Sequence, residues 1–416
     1  MKPSGIPWLG DVPEGWEIDK IKHHLRISSE RNPGDATVLS LYREYGVIPK
    51  DSRDDNHNVT SEDTSKYRYV REGDFAINKM KAWQGSMAVS GYEGIVSPAY
   101  YVYRFDSSRL EAKYFHHLIR TRGYASEFRR LSTGVREGQW DLHPIDFENT
   151  RIILPPLPEQ RAIAERIDCE VARVDALREN IKSEIERLGD YKKSLIAETV
   201  TRGLRKRKMN PSGIPWLGDV PEGWEVTRIG YLATRKQPKY APEEELLSVF
   251  LDRGVIRFAD GGSKRANVAS GDFTKYQLVE PGDFVLNNQQ AWRGSVGVSI
   301  YRGIISPAYL ILKTKPVVDS VYANYLFRSR PLVALYEQCS HGVGSIQRNI
   351  YWDELRVQKI PFPPLPEQRE IAEYLDRAVS RIDAVVARRK AQLEKLEAFK
   401  RSLIQEYVTG KREVRQ

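Results

Sequence analysis

From Pro158 the chain reads PEQRAIAERIDCEVARVDALRENIKSEIERLGDYKKSLIAETV, with almost no helix breaker. Its apolar positions are Ile163, Ile167, Val171, Val174, Leu177, Ile181, Ile185, Leu188, Tyr191 and Leu195. They fall three or four apart, the spacing of one helix face. A second such stretch starts at Pro366 and carries Ile371, Leu375, Val379, Ile382, Val385, Arg389, Leu393, Leu396, Phe399 and Leu403, with Arg389 alone breaking the stripe. Pro158 and Pro366 suit a first helical turn, where a missing N–H costs nothing. Glu159 and Glu367 suit the positive end of the helix dipole. About forty residues at 1.5 Å each make a rod on the order of 60 Å. That outruns a domain of about 150 residues, whose radius of gyration is about 15 Å, so the stripe predicts a helical partner. Residues 1–150 and 209–358 have a different pattern. Short β-rich runs (SMAVS, YYVYRF, VGVSI, YLILK) alternate with Gly, Asn, Asp and Pro turns and with helical segments such as AKYFHHLIRTRGYASEFRRL, which predicts α+β heads.

The pattern occurs twice because the sequence does. PSGIPWLGDVPEGWE stands at 3–17 and again, unchanged, at 211–225. LPPLPEQRAIAERID at 154–168 returns as FPPLPEQREIAEYLD at 362–376, and SLIAETVTRG from Ser194 as SLIQEYVTG from Ser402, each pair 208 positions apart. VREGDFAINKMKAWQGSMAVSGYEGIVSPAYYVYR at 70–104 matches VEPGDFVLNNQQAWRGSVGVSIYRGIISPAYLILK at 279–313, at 209. A unit this long is no solenoid repeat, whose period is about 20–50 residues. The expected organisation is a first head over 1–154, a long helix and linker over 155–208, a second head over 209–362 and a C-terminal helix over 363–416. The two copies would form an internal pseudo-dimer with circularly equivalent termini, and the two helices would run antiparallel. Ile167, Val174, Ile181, Leu188, Leu195, Leu375, Ile382, Leu396 and Leu403 are the expected coiled-coil interface.

Composition narrows the class. No run of eighteen apolar residues exists, so no membrane span is expected. The first residues lack the apolar core of a signal peptide. Two cysteines, Cys169 and Cys339, in no metal or redox spacing, fit a reducing cytoplasm and argue against disulfides and zinc. A net charge of +9 makes nucleic acid an admissible partner without demanding it.

Catalytic signatures are missing. No GxGxxG follows a strand, no GxxxxGK[ST] occurs, and the Asn/Asp-Pro-Pro-aromatic motif of amino-methyltransferases is absent. Glu111-Ala112-Lys113 near Asp106 has the form of a nuclease ExK, but the second copy has Val318-Asp319-Ser320 nearby. His23-His24 and His116-His117 are sequence neighbours, which cannot face one way on a helix or strand. No catalytic or metal residue is assigned.

With PPLPEQ leading into a long helix, GDF…AW.GS…SPAY, and WLGDVPEGWE ahead of a variable region, all duplicated, the chain resembles the specificity subunit of Type I restriction–modification systems over essentially its whole length. The resemblance implies two target recognition domains, each reading one half of a split site in double-stranded DNA, on an antiparallel coiled coil that fixes the spacing. It also implies two modification subunits methylating adenine N6 with S-adenosylmethionine, and motor-nuclease restriction subunits using Mg/ATP. The chain itself would bind no cofactor and be non-catalytic. The rival readings are a two-headed protein scaffold that binds no DNA, a single-chain DNA methyltransferase or nuclease of diverged motifs, and a silent copy that never assembles.

Comparing the copies separates shared from differing positions. NKMKAWQGS (78–86) faces NNQQAWRGS (287–295). The differing residues Lys79, Lys81 and Gln84 against Asn288, Gln289, Gln290 and Arg293 are types that contact phosphates or base edges. Trp83 and Trp292 read as anchors of the turn, with stacking on bases as the other role. A second loop, STGVREGQW (132–140) against SHGVGSIQRN (340–349), offers Arg136 and Gln139 against Gln347, Arg348 and Asn349. Arg120, Arg122, Arg129 and Arg130 on a helix, Arg53, Lys264 and Arg265 in loops, and the basic run Arg202–Lys208 could meet phosphates or only solvent. Trp8 and Trp216, in the unchanged repeat, are expected to serve assembly.

Overall fold

The computed structural model describes the chain except residues 44, 54–59, 62, 107, 135–139, 238, 252, 262–271, 343–347 and 415–416. It divides into two compact units. Unit 1 comprises Met1–Ile181 and Ala391–Gln416, and unit 2 comprises Lys182–Lys390. Each holds an α+β head and a stretch of both long helices.

The head of unit 1 is built on a four-stranded antiparallel sheet in the order Leu25–Ile27, Tyr100–Phe105, Phe75–Asn78, Met87–Val89. In unit 2 the order is Ala233–Arg235, Tyr309–Thr314, Asp283–Asn287, Val296–Val298, with Tyr309 opposite Asn287 as Tyr100 is opposite Asn78. The inward positions are apolar and buried (Phe75, Ile77, Met87 and Tyr103 in unit 1; Phe284, Leu286, Val296 and Leu312 in unit 2). Two short helices cover this face, Ala112–Ile119 with Arg122–Leu131 and Ser320–Phe327 with Arg330–Gln338. A hairpin, Leu39–Tyr42 with Gly46–Pro49 or Leu247–Phe250 with Gly254–Arg257, seeds a second small core.

Both predicted rods are single helices, Leu157–Arg202 of 46 residues and Leu365–Val408 of 44. Neither, nor any other helix among the described residues, is long and apolar enough to cross a membrane. In unit 1 Asp175 meets Lys400 at 2.7 Å, Glu397 meets Arg178 at 3.0 Å, and Tyr407 Oη accepts from Arg166 at 3.3 Å. One index rises as the other falls, so the helices run antiparallel. In unit 2 Lys192 pairs with Asp383 at 2.7 Å and Arg389 with Glu184 at 3.0 Å, which gives the one break in the stripe a cross-helix role. Of the interface residues, Ile167, Val174, Ile181, Leu375, Ile382 and Leu403 are buried and Leu188, Leu195 and Leu396 half-buried. Leu177, Tyr191 and Phe399, which share the 3–4 spacing, are exposed instead. A straight helix turns about 20° per heptad away from a 3.5-residue repeat, so a stripe this long cannot keep every member on the seam.

PPLPEQ explains how each head fixes its rod. Gln160 and Gln368 are buried. Gln160 Nε2 donates to the carbonyls of Arg109 (3.0 Å) and Pro155 (2.8 Å), and its Oε1 accepts from Glu111 N (2.8 Å). Gln368 does the same with Val317 O (3.1 Å), Pro363 O (2.9 Å) and Asp319 N (2.8 Å). One side chain thus ties the rod's first turn to the start of the head's first helix. We predict that Gln160→Ala lowers the stability of unit 1 by at least about 1–3 kcal/mol, because three buried backbone groups lose their partner. Urea denaturation of the full chain checks this, and an unchanged midpoint refutes it.

The opposite end of each rod closes on the repeated segment. Trp16, in the unit 1 core with Ile163, Ile167, Leu403 and Val408, donates from Nε1 to Glu159 at 3.2 Å. The C-terminal rod ends over it at Gly410, whose φ is 68° and where a Cβ would lie 2.5 Å from Pro13 and 3.1 Å from the indole. Only glycine fits such a left-handed helix stop. In unit 2 Gly203 (φ 74°) covers Trp224 in the same way, and a Cβ there would lie 3.0 Å from the indole. Tyr114 Oη donates to Val408 O and Tyr322 Oη to Val200 O, both at 3.2 Å. Trp8 lies elsewhere, edge-on to Tyr124 at 4.7 Å and over Gly123 within its own head. Trp216 packs half-buried on the unit 2 core.

A lateral contact differs between units. In unit 1 Asp168 on the rod takes His117 at 2.9 Å and Lys113 at 3.0 Å. In unit 2 the neutral Tyr325 hydroxyl donates to Asp376 at 2.7 Å. The His117 hydrogen bond, helped by Lys113 and opposed by burial, lowers the Asp168 carboxyl to about 2. A depressed carboxyl stabilises the fold above its unfolded value near 4, and that contribution is lost as pH falls from about 4 towards 2. Asp168→Asn is therefore expected to flatten the acid limb of unit 1 stability between pH 4 and 2. The check is urea midpoints across that range, and an equally steep limb in the variant counts against it.

Candidate nucleic-acid interface

The shared letters of NKMKAWQGS and NNQQAWRGS build one turn twice. Asn78 Oδ1 accepts from Met80 N at 3.2 Å and Asn287 Oδ1 from Gln289 N at 3.0 Å. Trp83 Nε1 donates to Met80 O at 3.1 Å and Trp292 Nε1 to Gln289 O at 3.0 Å. Gly85 and Gly294 close the turn in left-handed backbone (φ 83° and 95°). The second candidate loop returns to this turn. Leu142 N donates to Lys79 O at 3.1 Å and Ile350 N to Asn288 O at 3.0 Å. Each head therefore brings the first candidate loop and the described end of the second to one rim.

On that rim Lys81, Gln84, Gln289, Arg293 and Asn349 are exposed, and Lys79, Asn288, Gln290 and Arg348 half-buried. Lys79 faces Asp141 at 3.6 Å, and Arg348 pairs with Glu337 at 3.2 Å. Arg136, Gln139 and Gln347, with Lys264 and Arg265, lie outside the described residues. The tryptophans are half-buried, so each anchors its turn through the indole N–H and still carries cations. Arg129 lies 5.7 Å from the Trp83 ring and 5.8 Å from that of Trp140. Arg293 and Arg348 lie 4.6 and 5.2 Å from Trp292.

By sequence alone Arg129 is one of several ambiguous helix arginines and Trp140 has no role; the signal for both is a second tryptophan in the loop that carries Arg136 and Gln139. Elsewhere, Arg53 lies over Tyr45 at 4.5 Å and Arg253 over Phe250 at 4.7 Å, at the hairpin tips. In the basic run, Arg205 pairs with Glu370 at 2.8 Å and Arg207 with Glu367 at 3.0 Å, so two of its cations are engaged by the first turns of the C-terminal rod.

Among the described residues, nothing on the rim has the form of a hydrolytic or transfer centre. Lys113 and Glu111 turn to the rod, to Asp168 and Arg161. His23 and His24 both bond Asp19, at 2.6 and 3.0 Å, and His116 Nδ1 accepts from Val89 N at 3.1 Å. No three His, Cys, Asp or Glu side chains gather as metal ligands among the described residues.

Two α+β heads of one design, each holding the start of one long helix and the end of the other, define a duplicated recognition-domain protein. The family described as the Type I restriction modification DNA specificity domain matches residues 13–187 and 221–395. The chain belongs to this family and is the specificity subunit of a type I restriction–modification system, with two recognition domains. It is 26% identical to the type I restriction enzyme MjaVIII specificity subunit of Methanocaldococcus jannaschii, over 96% of this chain and 93% of that one. Its fold is similar to a chain from a study of assembly and conformational transition of the type I R-M system (TM-score 0.69, 18% identity, 96% and 99% covered). It is also similar in fold to the HsdS subunit of Thermoanaerobacter tengcongensis (TM-score 0.52, 19% identity, 96% and 98% covered).

Proposed function

We propose that each recognition domain reads one half of a bipartite, non-palindromic site in double-stranded DNA, and that the antiparallel helices set the unread gap. The observation that carries this reading is the pairing of an identical turn scaffold with different outward residues, Lys81 and Gln84 in one unit and Gln289 and Arg293 in the other. A shared scaffold holds a rim at the same place, and different side chains on it select different base pairs. The helices and the unchanged repeat dock two modification subunits, which methylate adenine N6 with S-adenosylmethionine, and restriction subunits join with Mg/ATP. Catalysis then lies in the partners. Mapping N6-methyladenine across the genome, with and without this chain and with its modification subunits expressed, tests the reading. A two-part motif that disappears with the chain supports it, and unchanged methylation refutes it. DNA methylated or cut by the purified chain alone would favour the single-chain enzyme instead.

A further inference from the structure

The cations on the two tryptophans come from different places, and the exchange is correlated. Trp83 and Trp292 correspond in the repeat, as do Gln84 and Arg293, Arg129 and Glu337, and Trp140 and Arg348. In unit 1, position 129 is an arginine and position 140 a tryptophan, and the two are in contact at 5.8 Å. In unit 2 the equivalent positions are Glu337 and Arg348, in contact as an ion pair at 3.2 Å. Both partners changed, and the contact persisted with new chemistry. In unit 1 the indoles are 5.6 Å apart at 60°, with one guanidinium over both. In unit 2 one indole carries two guanidinium groups. The scaffold of the turn, its Asn and indole hydrogen bonds with the Ala-Trp and Gly-Ser pairs, is the same in both, so the change relocates the cation on a fixed platform. In unit 1 it is supplied by the helix Arg122–Leu131, and in unit 2 by the returning loop and the turn itself.

We propose that this arginine-on-tryptophan cluster is the base-reading element of each domain, Arg129 in unit 1 and Arg348 with Arg293 in unit 2, and that each half-site contains a G·C pair recognised by it. The inference rests on the reading that each domain binds one half-site. The indole restricts where the guanidinium can go, and the planar fork matches guanine O6 and N7, which a lysine ammonium does not. Glu337 holds Arg348 on the platform, as Trp140 holds Arg129. Moving the cation moves the base pair addressed, so the two half-sites differ although the turn scaffold does not.

The test uses the full chain expressed with its modification subunits, and reads the methylated motif. Arg348→Ala is expected to lower discrimination at one G·C position of one half-site by about 10- to 100-fold, leaving the other half-site as in the wild type. Arg129→Ala is expected to do the same in the other half. Arg348→Lys should relax the motif like alanine, which a general need for positive charge does not predict. If Arg348→Ala fails to accumulate, the exposed Arg293→Ala gives the same readout. Arg129→Glu combined with Trp140→Arg rebuilds the unit 2 pair in unit 1, and should change the base preference of the first half-site where either single change only weakens it. An unaltered motif in these variants overturns the proposal, and so does an even loss of methylation at every site. A wild-type chain that yields no two-part motif overturns instead the reading on which it rests.

Discussion

Trp16→Ala is expected to destabilise unit 1 by about 3–5 kcal/mol, the range for emptying a large aromatic site in a core. The cost has three sources in one residue. The indole packs among buried residues of the head and of both rods, among them Ile163 and Leu403. Its N–H donates to Glu159, and its face supports the helix stop at Gly410. Hydrogen exchange on the full chain should show lost protection at the rod end near Leu403–Val408 and at the first turn near Glu159, with the unit 2 head unaffected. Equal protection in wild type and variant would sink the prediction. Phenylalanine separates the contributions. Trp16→Phe gives up the bond to Glu159, while Trp224 Nε1 has no partner among the described residues because Glu367 is held by Arg207. Trp224→Phe should therefore be the milder change, since a buried donor without a partner is a cost that its removal relieves.

Removing residues 185–191 together with the facing 383–389 is expected to change the gap between half-sites and leave both half-sites intact. Seven residues are two helical turns, about 10 Å of rod, which caps the shortening at about three base-pair steps of 3.4 Å. The excision spares the buried ends of the rods, where Gln160, Gln368, Trp16 and Trp224 act. It removes Arg389 and Asp383, whose partners Glu184 and Lys192 lie on the other rod. Exposed pairs of this kind are worth about 0–1 kcal/mol each, so the variant should fold. The measurement is the methylated motif. An unchanged gap would mean that something other than the rods spaces the half-sites, and a change within a half-site would mean that the rods take part in reading it.

The rods were legible because a 3–4 stripe sustained over some forty residues fits a long helix and little else, and the sheets because β-rich runs such as YYVYRF and YLILK are set off by Gly, Asn, Asp and Pro turns. What the pattern could not show is which apolar positions leave the seam, as Leu177, Tyr191 and Phe399 do. Gln160 and Gln368 looked like ordinary polar residues of a first turn. They are buried because each satisfies three backbone groups at once, a fact of tertiary structure that only their recurrence hinted at. The turns around Trp83 and Trp292 could be found by comparing the copies, whereas the arginine over Trp83 comes from a helix some 45 residues on, a pairing no local pattern contains.

The two units also differ in how they are drawn from the chain. Unit 2 is one continuous segment, whereas unit 1 joins Met1–Ile181 to residues that begin at Ala391. Leu403, Tyr407 and Val408 belong to the core of the first head, and the Tyr114 hydroxyl lies 3.2 Å from the carbonyls of both Ile153 and Val408. On a ribosome, where folding proceeds from the N-terminus as the chain emerges, the head made first is thus the one finished last. Until the final rod arrives, its Trp16 side stands open to water, and the domain translated second can close before it.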